Sequence, residues 1–208
     1  MLNPESGGEI HARSLQAVIP NMILKKRVLS LYEKTPESGI VLCLDEKGPM
    51  AAKEYGGRKW CGNVPELDVR QKTHGVVNCF GAYNVHKDEI FIKCYDRKTS
   101  RDFIDFIAKV RKRWHHVKIK AVLDNVSSHK SKMTTNAMKR YKRIEPVFLP
   151  TSSPKLNRIE GKWDLLQEEV INNQKFESKE ELVATIEGWA EYYNGERKKI
   201  YSKKKVHS

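Results

Sequence analysis

Short apolar runs alternate along the chain with stretches in which apolar residues recur every three to four positions. The short β-rich runs predict strands at 40–44, 117–123 and 147–149, and a hairpin at 75–95. The helical spacing predicts helices at about 24–34, 100–114, 128–141, 153–172 and 178–193. No element is predicted for residues 1–24, because two glycines and Pro20 interrupt the helical pattern. This order of elements indicates an α/β fold in which helices flank a mixed sheet.

Polar residues mark where several of these elements begin and end. The sequence Thr-Ser-Arg-Asp at 99–102 predicts a capping box at the start of the second helix. Ser153 followed by Pro154 predicts an N-cap and a first helical turn. The first strand is predicted to end at Asp45, ahead of a loop-like stretch at 46–74 that is rich in glycine and proline.

Three carboxylates stand at the ends or edges of predicted elements. Asp45 and Asp124 each follow an apolar run, and Glu160 borders the apolar stripe of its helix, with thirty-five residues between it and Asp124. If the strands at 40–44 and 117–123 are neighbours, both aspartates emerge at the same end of the sheet. The helix at 153–172 could then bring Glu160 to that end. A carboxylate bordering a buried stripe is costly unless it is paired or bound to metal. The pattern indicates a metal site that acts on phosphate, because two divalent ions about 3.5–4 Å apart can activate a hydroxyl and stabilise a leaving oxygen.

Composition adds the expected partner and compartment. The 208 residues are 39% hydrophobic, enough for a real core, and carry a formal net charge of +13, which favours a polyanionic partner. No apolar run approaches the roughly 18 residues of a membrane span, and no signal-peptide segment opens the chain, so we expect a soluble intracellular protein. The four cysteines form no Cys-x-x-Cys pair, which argues against a structural zinc site and favours buried thiols.

The positive charge is concentrated in two segments. Residues 97–144 carry a net charge of +12 and residues 195–208 a net charge of +5, as expected for a surface that follows a phosphate backbone. The stretch at 53–60 mixes cations, glycines and an aromatic residue, which suits a nucleic acid as well as it suits an ordinary surface hairpin. His129 could contact DNA, although a polar contact at a helix start explains it equally well. The candidate DNA contacts are Arg58, Lys59, Trp60, His129, Lys130, Lys132, Lys155 and Arg158.

The sequence around the three carboxylates carries a resemblance to a known family. The motifs read Leu-Asp-Glu-Lys at 44–47, Val-Leu-Asp-Asn-Val-Ser-Ser-His-Lys-Ser at 122–131 and Leu-Pro-Thr-Ser-Ser-Pro-Lys-Leu-Asn-Arg-Ile-Glu-Gly-Lys-Trp at 149–163. Together they resemble the DDE transposases of bacterial and archaeal insertion sequences, in the mariner-related superfamily. The resemblance extends over about 25–195.

This resemblance implies a ribonuclease-H-like fold and a catalytic triad of Asp45, Asp124 and Glu160 that holds two Mg²⁺ or Mn²⁺ ions. It implies cut-and-paste DNA cleavage and strand transfer, with transposon ends and a target, usually a TA dinucleotide, as the DNA partners. A homodimer is the assembly considered, and a cytoplasmic location at the nucleoid is expected.

The chain also departs from the family pattern. Many relatives have proline where Arg158 stands, and the sequence after Asn194 differs from the family's usual ending. Complete members carry an N-terminal helix-turn-helix region of about a hundred residues, for which too little chain precedes residue 25. The expected organisation is an undefined segment at 1–24, a catalytic domain at 25–195 and a basic tail at 196–208.

Two alternatives to an active catalytic domain stay open. One is a truncated remnant that only binds DNA or a full-length relative. The other is a host nuclease of the same fold, which the close match of the motifs disfavours.

Overall fold

The computed structural model describes residues 6–56, 72–124, 132–150 and 153–197. The strands are β1 Ile40–Ala51, β2 Val76–Asn84, β3 Glu89–Tyr95, β4 Ile119–Leu123 and β5 Ile144–Phe148. The helices are α1 Ser6–Glu33, α2 Ser100–Arg113, α3 Lys132–Arg140, α4 Glu160–Leu166 and α5 Lys179–Tyr192. A 3₁₀ turn at Pro154–Leu156 precedes α4, and π-helical turns at Gln167–Ile171 and Tyr193–Arg197 follow α4 and α5.

The five strands form one mixed sheet in the order β3-β2-β1-β4-β5. The pairs β1–β2 and β2–β3 are antiparallel, whereas β1–β4 and β4–β5 are parallel. The mixed sheet flanked by helices confirms the predicted α/β, ribonuclease-H-like fold.

Both faces of the sheet are covered by helices, because side chains alternate between the faces along each strand. On one face, here called the α4 face, Val41 and Cys43 of β1 join a cluster with α1, α4 and α5. On the other face, Leu42 and Leu44 join a cluster with α2 and α3. Asp45 continues the odd-numbered series and therefore belongs to the α4 face.

The structure corrects the predicted bounds of α1 and β1. The first helix begins at Ser6 rather than near residue 24 and runs through Pro20. An interior proline costs a helix one hydrogen bond and a steric clash, but at exposed Pro20 this does not end α1. The first strand continues past Asp45 to Ala51, because β2 pairs with it as far as Val76, with a register shift between Lys47 and Met50. No helix among the described residues is long and apolar enough to cross a membrane.

The start of α4 also differs from the prediction. Ser153 and Pro154 open only a 3₁₀ turn, with the Leu156 N–H bonded to the Ser153 carbonyl. The α-helix begins at Glu160, so this carboxylate lies in the first helical turn and is exposed. The predicted capping box at 99–102, by contrast, is confirmed with both of its hydrogen bonds.

The outer edge of β3 is covered by two side chains of the α5 region. Asn194 accepts a hydrogen bond from the Ile90 N–H through Oδ1 and donates one to the Ile90 carbonyl through Nδ2. Glu187 accepts the N–H of Cys94 at 3.1 Å. Side chains therefore satisfy main-chain groups that the neighbouring strand leaves unpaired.

Gly81 of β2 lies directly opposite Asp45 of β1. A Cβ at this position would lie 2.6 Å from two ring carbons of Trp163 and 2.8 Å from Cδ1 of Ile159. A side chain at position 81 would collide with this part of the chain. Glycine is therefore what allows α4 to pack on the sheet beside Asp45.

Replacing Gly81 with alanine is expected to destabilise the fold, because the methyl group overpacks the contact with Trp163. Overpacking of this kind costs about 1–3 kcal/mol, to be measured as a lower free energy of unfolding in urea. The control is Gly188→Ala in α5, where a Cβ meets nothing within 4 Å. That change should be neutral or stabilise by about 0.5–1 kcal/mol, because alanine is the better helix residue. Equal effects of the two substitutions would contradict the close-packing argument.

Candidate active site

The sheet register aligns Asp45 with Asp124. In the parallel β1–β4 pair, Cys43 lies opposite Val122, and each aspartate follows its residue by two positions. Two positions along a strand return a side chain to the same face, and neighbouring strands lie about 4.8 Å apart. Asp45 lies within β1 and Asp124 directly follows β4, so both belong to the α4 face at the end where β4 finishes.

Trp163 fixes the orientation of the Asp45 carboxylate. The buried Trp163 indole donates a hydrogen bond from Nε1 to Oδ2 of Asp45 at 3.0 Å. Trp163 lies three residues after Glu160, about one helical turn. The side chain that holds the first carboxylate therefore belongs to the helix that begins with the third.

The segment before α4 is anchored to α1 and β1. The Tyr32 hydroxyl donates to the Leu156 carbonyl at 2.8 Å and lies 3.3 Å from Sγ of Cys43. The backbone N–H groups of Arg158 and Ile159 face the same sulfur. Burial is the main reason that the pKa of the Cys43 thiol is raised to about 11, so the sulfur is a neutral anchor for this segment.

Asn157 ties the same segment to the strand at its carboxylate end. Its side-chain Nδ2 donates to the Leu44 carbonyl at 3.2 Å, and its backbone carbonyl accepts a hydrogen bond from the Glu160 N–H at 3.1 Å. One buried residue thus connects the neighbour of Asp45 to Glu160. The bond from Asn157 to Leu44 lies where the helix is interrupted, between the end of the 3₁₀ turn and the start of α4.

The carboxylates act on each other through their charges. Burial is the largest cause that raises the pKa of Asp45 to about 6, and the negative charges of Glu160 and Asp124 raise it further. Hydrogen bonds from the Glu46 backbone and from Trp163 oppose the rise. The structure thus brings the three predicted carboxylates into one electrostatic field.

The donor chemistry of this field fits a hard divalent cation. Carboxylate oxygens are the ligands that Mg²⁺ prefers. A cation would relieve the repulsion that adds to the effect of burial on the pKa of Asp45. Within the described ranges, however, no group of three His, Cys, Asp or Glu side chains is arranged so that it could hold a metal ion. Assignment of the triad as metal ligands therefore stays a prediction.

A second polar cluster holds the opposite side of α4. The Lys162 ammonium donates to Oδ1 of Asp88 at 2.8 Å and to the Tyr193 hydroxyl at 2.6 Å, and Tyr83 also donates to Asp88. Burial alone would raise the pKa of Asp88, but the hydrogen bonds it accepts outweigh burial and lower it. This cluster joins α4 to the β2–β3 turn and to the end of α5.

The candidate DNA contacts are only partly placed. Arg58, Lys59, Trp60, His129 and Lys130 lie outside the described residues, as does the side chain of Lys132. Lys155 and Arg158 are exposed beside the start of α4. The Arg158 guanidinium lies 4.9 Å from the centroid of the Tyr32 ring, so it also has a packing role.

Sequence reasoning missed the supporting residues of this site. Tyr32 and Trp163 lie within predicted helices, and Cys43 is among the cysteines predicted to be buried, but the sequence assigns none of them a polar partner. The Trp163 indole bonds to Asp45 and the Tyr32 hydroxyl bonds to Leu156, in both cases across more than a hundred positions of sequence. No local signal reveals such partners.

The sequence profile of the family described as "DDE superfamily endonuclease" matches residues 40–183. The chain belongs to this family. The predicted resemblance is confirmed, and the match includes all three candidate carboxylates.

A curated relative of this DDE superfamily chain is the "Insertion element IS630 uncharacterized 39 kDa protein" of Shigella sonnei. The two are 25% identical over 95 residues, which are 45% of this chain and 28% of the relative. The chain thus spans well under a third of that relative.

Solved structures of the Mos1 transposase share the fold. Its paired-end complex with the left transposon end gives a TM-score of 0.61 at 13% identity, covering 82% of this chain and 55% of that one. The catalytic domain of Mos1 mariner transposase gives a TM-score of 0.55 at 11% identity, covering 93% of this chain and 87% of that one. Paired-end complexes of Mos1 with Mn and with Mg give 0.58 and 0.57, at 14% and 11% identity. Each covers 55% of the Mos1 chain, and they cover 82% and 84% of this one.

Asp45→Asn is expected to stabilise the metal-free chain at neutral pH. Because the pKa of Asp45 is raised from 3.8 to about 6 in the folded state, the unfolded chain releases this proton first, and stability falls as pH rises through that window. The loss is at most about 3 kcal/mol for a shift of this size. Asparagine removes the titration and can still accept the Trp163 hydrogen bond. Urea unfolding in chelator at about pH 4 and pH 7.5 measures the difference.

Asp105→Asn is the control of opposite sign. Hydrogen bonds from Lys109 and Tyr95 lower the pKa of Asp105, so its charge stabilises the fold at neutral pH. Its removal should lower the stability slightly. A stability profile of the Asp45→Asn variant that still falls between the two pH values would show that another group titrates there.

Tyr32→Phe is expected to weaken Mn²⁺ binding, because it removes the hydroxyl that anchors the segment before Glu160 and keeps the ring under Arg158. Outer-shell changes of this kind cost on the order of tenfold in metal affinity, measurable by titration calorimetry. Tyr55→Phe is the matched control, since it loses a Tyr hydroxyl bond of 2.8 Å to the carbonyl of Ala51, at the far end of β1. Unchanged Mn²⁺ affinity in the Tyr32 variant would show that the anchor does not position Glu160.

Proposed function

We propose that residues 25–195 form the catalytic domain of an insertion-sequence transposase that cleaves DNA strands and transfers them with the help of divalent metal ions. One observation carries the proposal: Asp45, Asp124 and Glu160 share an electrostatic field at one end of the sheet, in a chain of the DDE superfamily. The Mos1 complexes with transposon-end DNA support DNA as the substrate.

We propose that the three carboxylates hold two Mg²⁺ or Mn²⁺ ions. The Mos1 complexes with Mn and with Mg support the use of a divalent metal. When bound, such ions activate the attacking oxygen and neutralise charge on the phosphate and the leaving oxygen. Trp163 orients Asp45, and Asn157 keeps Glu160 at a fixed distance from the strand that carries Asp45. The protein would supply the oxygen ligands, and these two contacts would limit how far Asp45 and Glu160 can move.

DNA would approach the exposed side of Glu160. Lys155 and Arg158 are exposed on the same segment and suit contacts to phosphate oxygens, which position DNA without reading its sequence. We propose transposon ends and a TA-containing target as the two DNA partners, in a homodimeric assembly. The net charge of +13 supports polyanion binding.

A second candidate is a remnant that binds DNA or a full-length relative without cleaving. It is favoured by the absence, among the described residues, of three ligand groups arranged to hold a metal ion. The two candidates differ in a single measurable property, metal-dependent strand cleavage.

Asp124→Asn is expected to abolish metal-dependent nicking, reducing it by more than about a hundredfold, because the amide keeps the shape but removes charge that holds the ions. DNA affinity should be almost unchanged, since it depends on distributed lysines and arginines. Nicking of a supercoiled plasmid in Mg²⁺ or Mn²⁺ and a duplex-binding titration measure the two properties.

Asp164→Asn, an exposed carboxylate on α4, is the matched control and should nick like the wild type. Equal nicking by the Asp124 variant, or undiminished activity in excess chelator, would show that the triad is not the catalytic centre. Inactivity of the wild type together with intact DNA binding would favour the remnant.

A further inference from the structure

The end of the sheet opposite the carboxylates is strongly basic. Six exposed cations lie where α2 and α3 end and where β4 and β5 begin: Lys112, Arg113, Lys118, Arg140, Lys142 and Arg143. We call this set the basic pole.

The parallel strands bring these cations together. Ile119 of β4 lies opposite Ile144 of β5, so the residues before them, Lys118 and Arg143, are neighbours. The Ile119 N–H bonds to the Arg143 carbonyl at 2.7 Å, and the Ile40 N–H bonds to the Lys118 carbonyl at 2.8 Å. Three strand starts therefore lie side by side at this end.

A cleft of about 550 Å³ opens between these strand starts. It is lined by residues 36–38, 118–120 and 142–145. Glu37 and Glu145 are its two acidic residues, and Glu145 is paired with Arg27 at 3.0 Å. The cations around the cleft are thus only weakly offset by acids.

Between described residues, none of the six cations of the basic pole forms an ion pair. The pKa of nearby Arg111 is lowered, first by burial and then by the positive charge of Arg143. Arg111 is committed to the backbone, since its guanidinium donates to the carbonyls of Trp114 and Val117. The pole accumulates like charge that an anionic partner would neutralise.

The basic pole is separate from the candidate active site. Lys118 and Asp124 stand at opposite ends of β4, six residue steps apart, which at about 3.3 Å a step is roughly 20 Å. The basic segment 97–144 includes Asp124 in the sequence, so its charge is expected beside the active site. Among the described residues, much of that charge lies instead at the far end of the sheet.

We infer that the basic pole binds the sugar–phosphate backbone of duplex DNA at a surface distinct from the catalytic end. The inference rests on the proposed function for the choice of DNA as the polyanion. Exposed ammonium and guanidinium groups without acidic partners match phosphate oxygens. A separation of roughly 20 Å corresponds to about six base pairs along a duplex axis, so the pole could hold DNA that extends beyond the site or a second duplex.

The test compares two double variants of the full chain that lose the same charge. Lys118→Gln with Lys142→Gln removes two cations of the pole, and Lys25→Gln with Lys26→Gln removes two exposed lysines of α1. Binding of a short fluorescent duplex is titrated at several salt concentrations without metal. Each lost phosphate contact lowers the slope of log K against log salt by about 0.9. The pole variant should lose about 2 units of slope, and the α1 variant should keep the wild-type slope.

Acetylation of lysines in the presence and absence of the duplex gives a second readout. Lys118 and Lys142 of the wild type should be protected by the duplex, and Lys25 and Lys26 should not. Wild-type binding of no DNA, equal slopes in both double variants, or unprotected Lys118 and Lys142 would overturn the inference.

The experiment also separates this inference from the proposed function. The pole variant should still nick DNA at saturating concentrations, because the substituted lysines lie far from the carboxylates. If the pole variant nicks DNA and keeps the wild-type slope of log K against log salt, only the inference about the basic pole is overturned. If the pole variant loses slope but the wild type shows no metal-dependent nicking, only the proposed function is overturned.

Discussion

The contact between the Trp163 indole and the Asp45 carboxylate depends on the absence of a side chain at Gly81. Side chains normally separate a helix from the sheet on which it packs. Removing the side chain at one strand position lets an indole ring rest against the backbone and reach a carboxylate in the next strand. The distance between the first and third candidate ligands is therefore set by a packing contact.

The same contact explains why the ionised form of Asp45 is destabilised in the folded chain. Docking α4 on the strand buries Asp45 and brings Glu160 toward it, and both effects raise the pKa of Asp45. Tyr32, Cys43 and the neighbouring backbone hold the segment in place against this repulsion. Stability of the fold and readiness of the site for a cation are consequently opposed, which is common where function requires crowded charge.

The sequence predicted the elements better than their ends. Apolar periodicity located the described strands and helices, except for the part of α1 before residue 24. The motifs around the three carboxylates together indicated the family. Prediction from sequence failed where long-range pairing decides the outcome. Pairing with β2 carries β1 past Asp45, and the side-chain bond from Asn157 to the Leu44 carbonyl accompanies a start of α4 later than the sequence around Ser153 suggests. A local window of sequence shows neither that β2 pairs with β1 nor that Asn157 bonds to the Leu44 carbonyl.

The side-chain amide at the edge of the sheet has a consequence for solubility. An uncovered edge strand is a template on which another chain can add a strand, and proteins protect such edges from aggregation. Asn194 occupies both hydrogen-bonding groups of Ile90 in β3, as a neighbouring strand would. A foreign strand would first have to displace this amide and the Glu187 carboxylate. This edge of the sheet is thereby protected from adding foreign strands and growing into fibrils through β3.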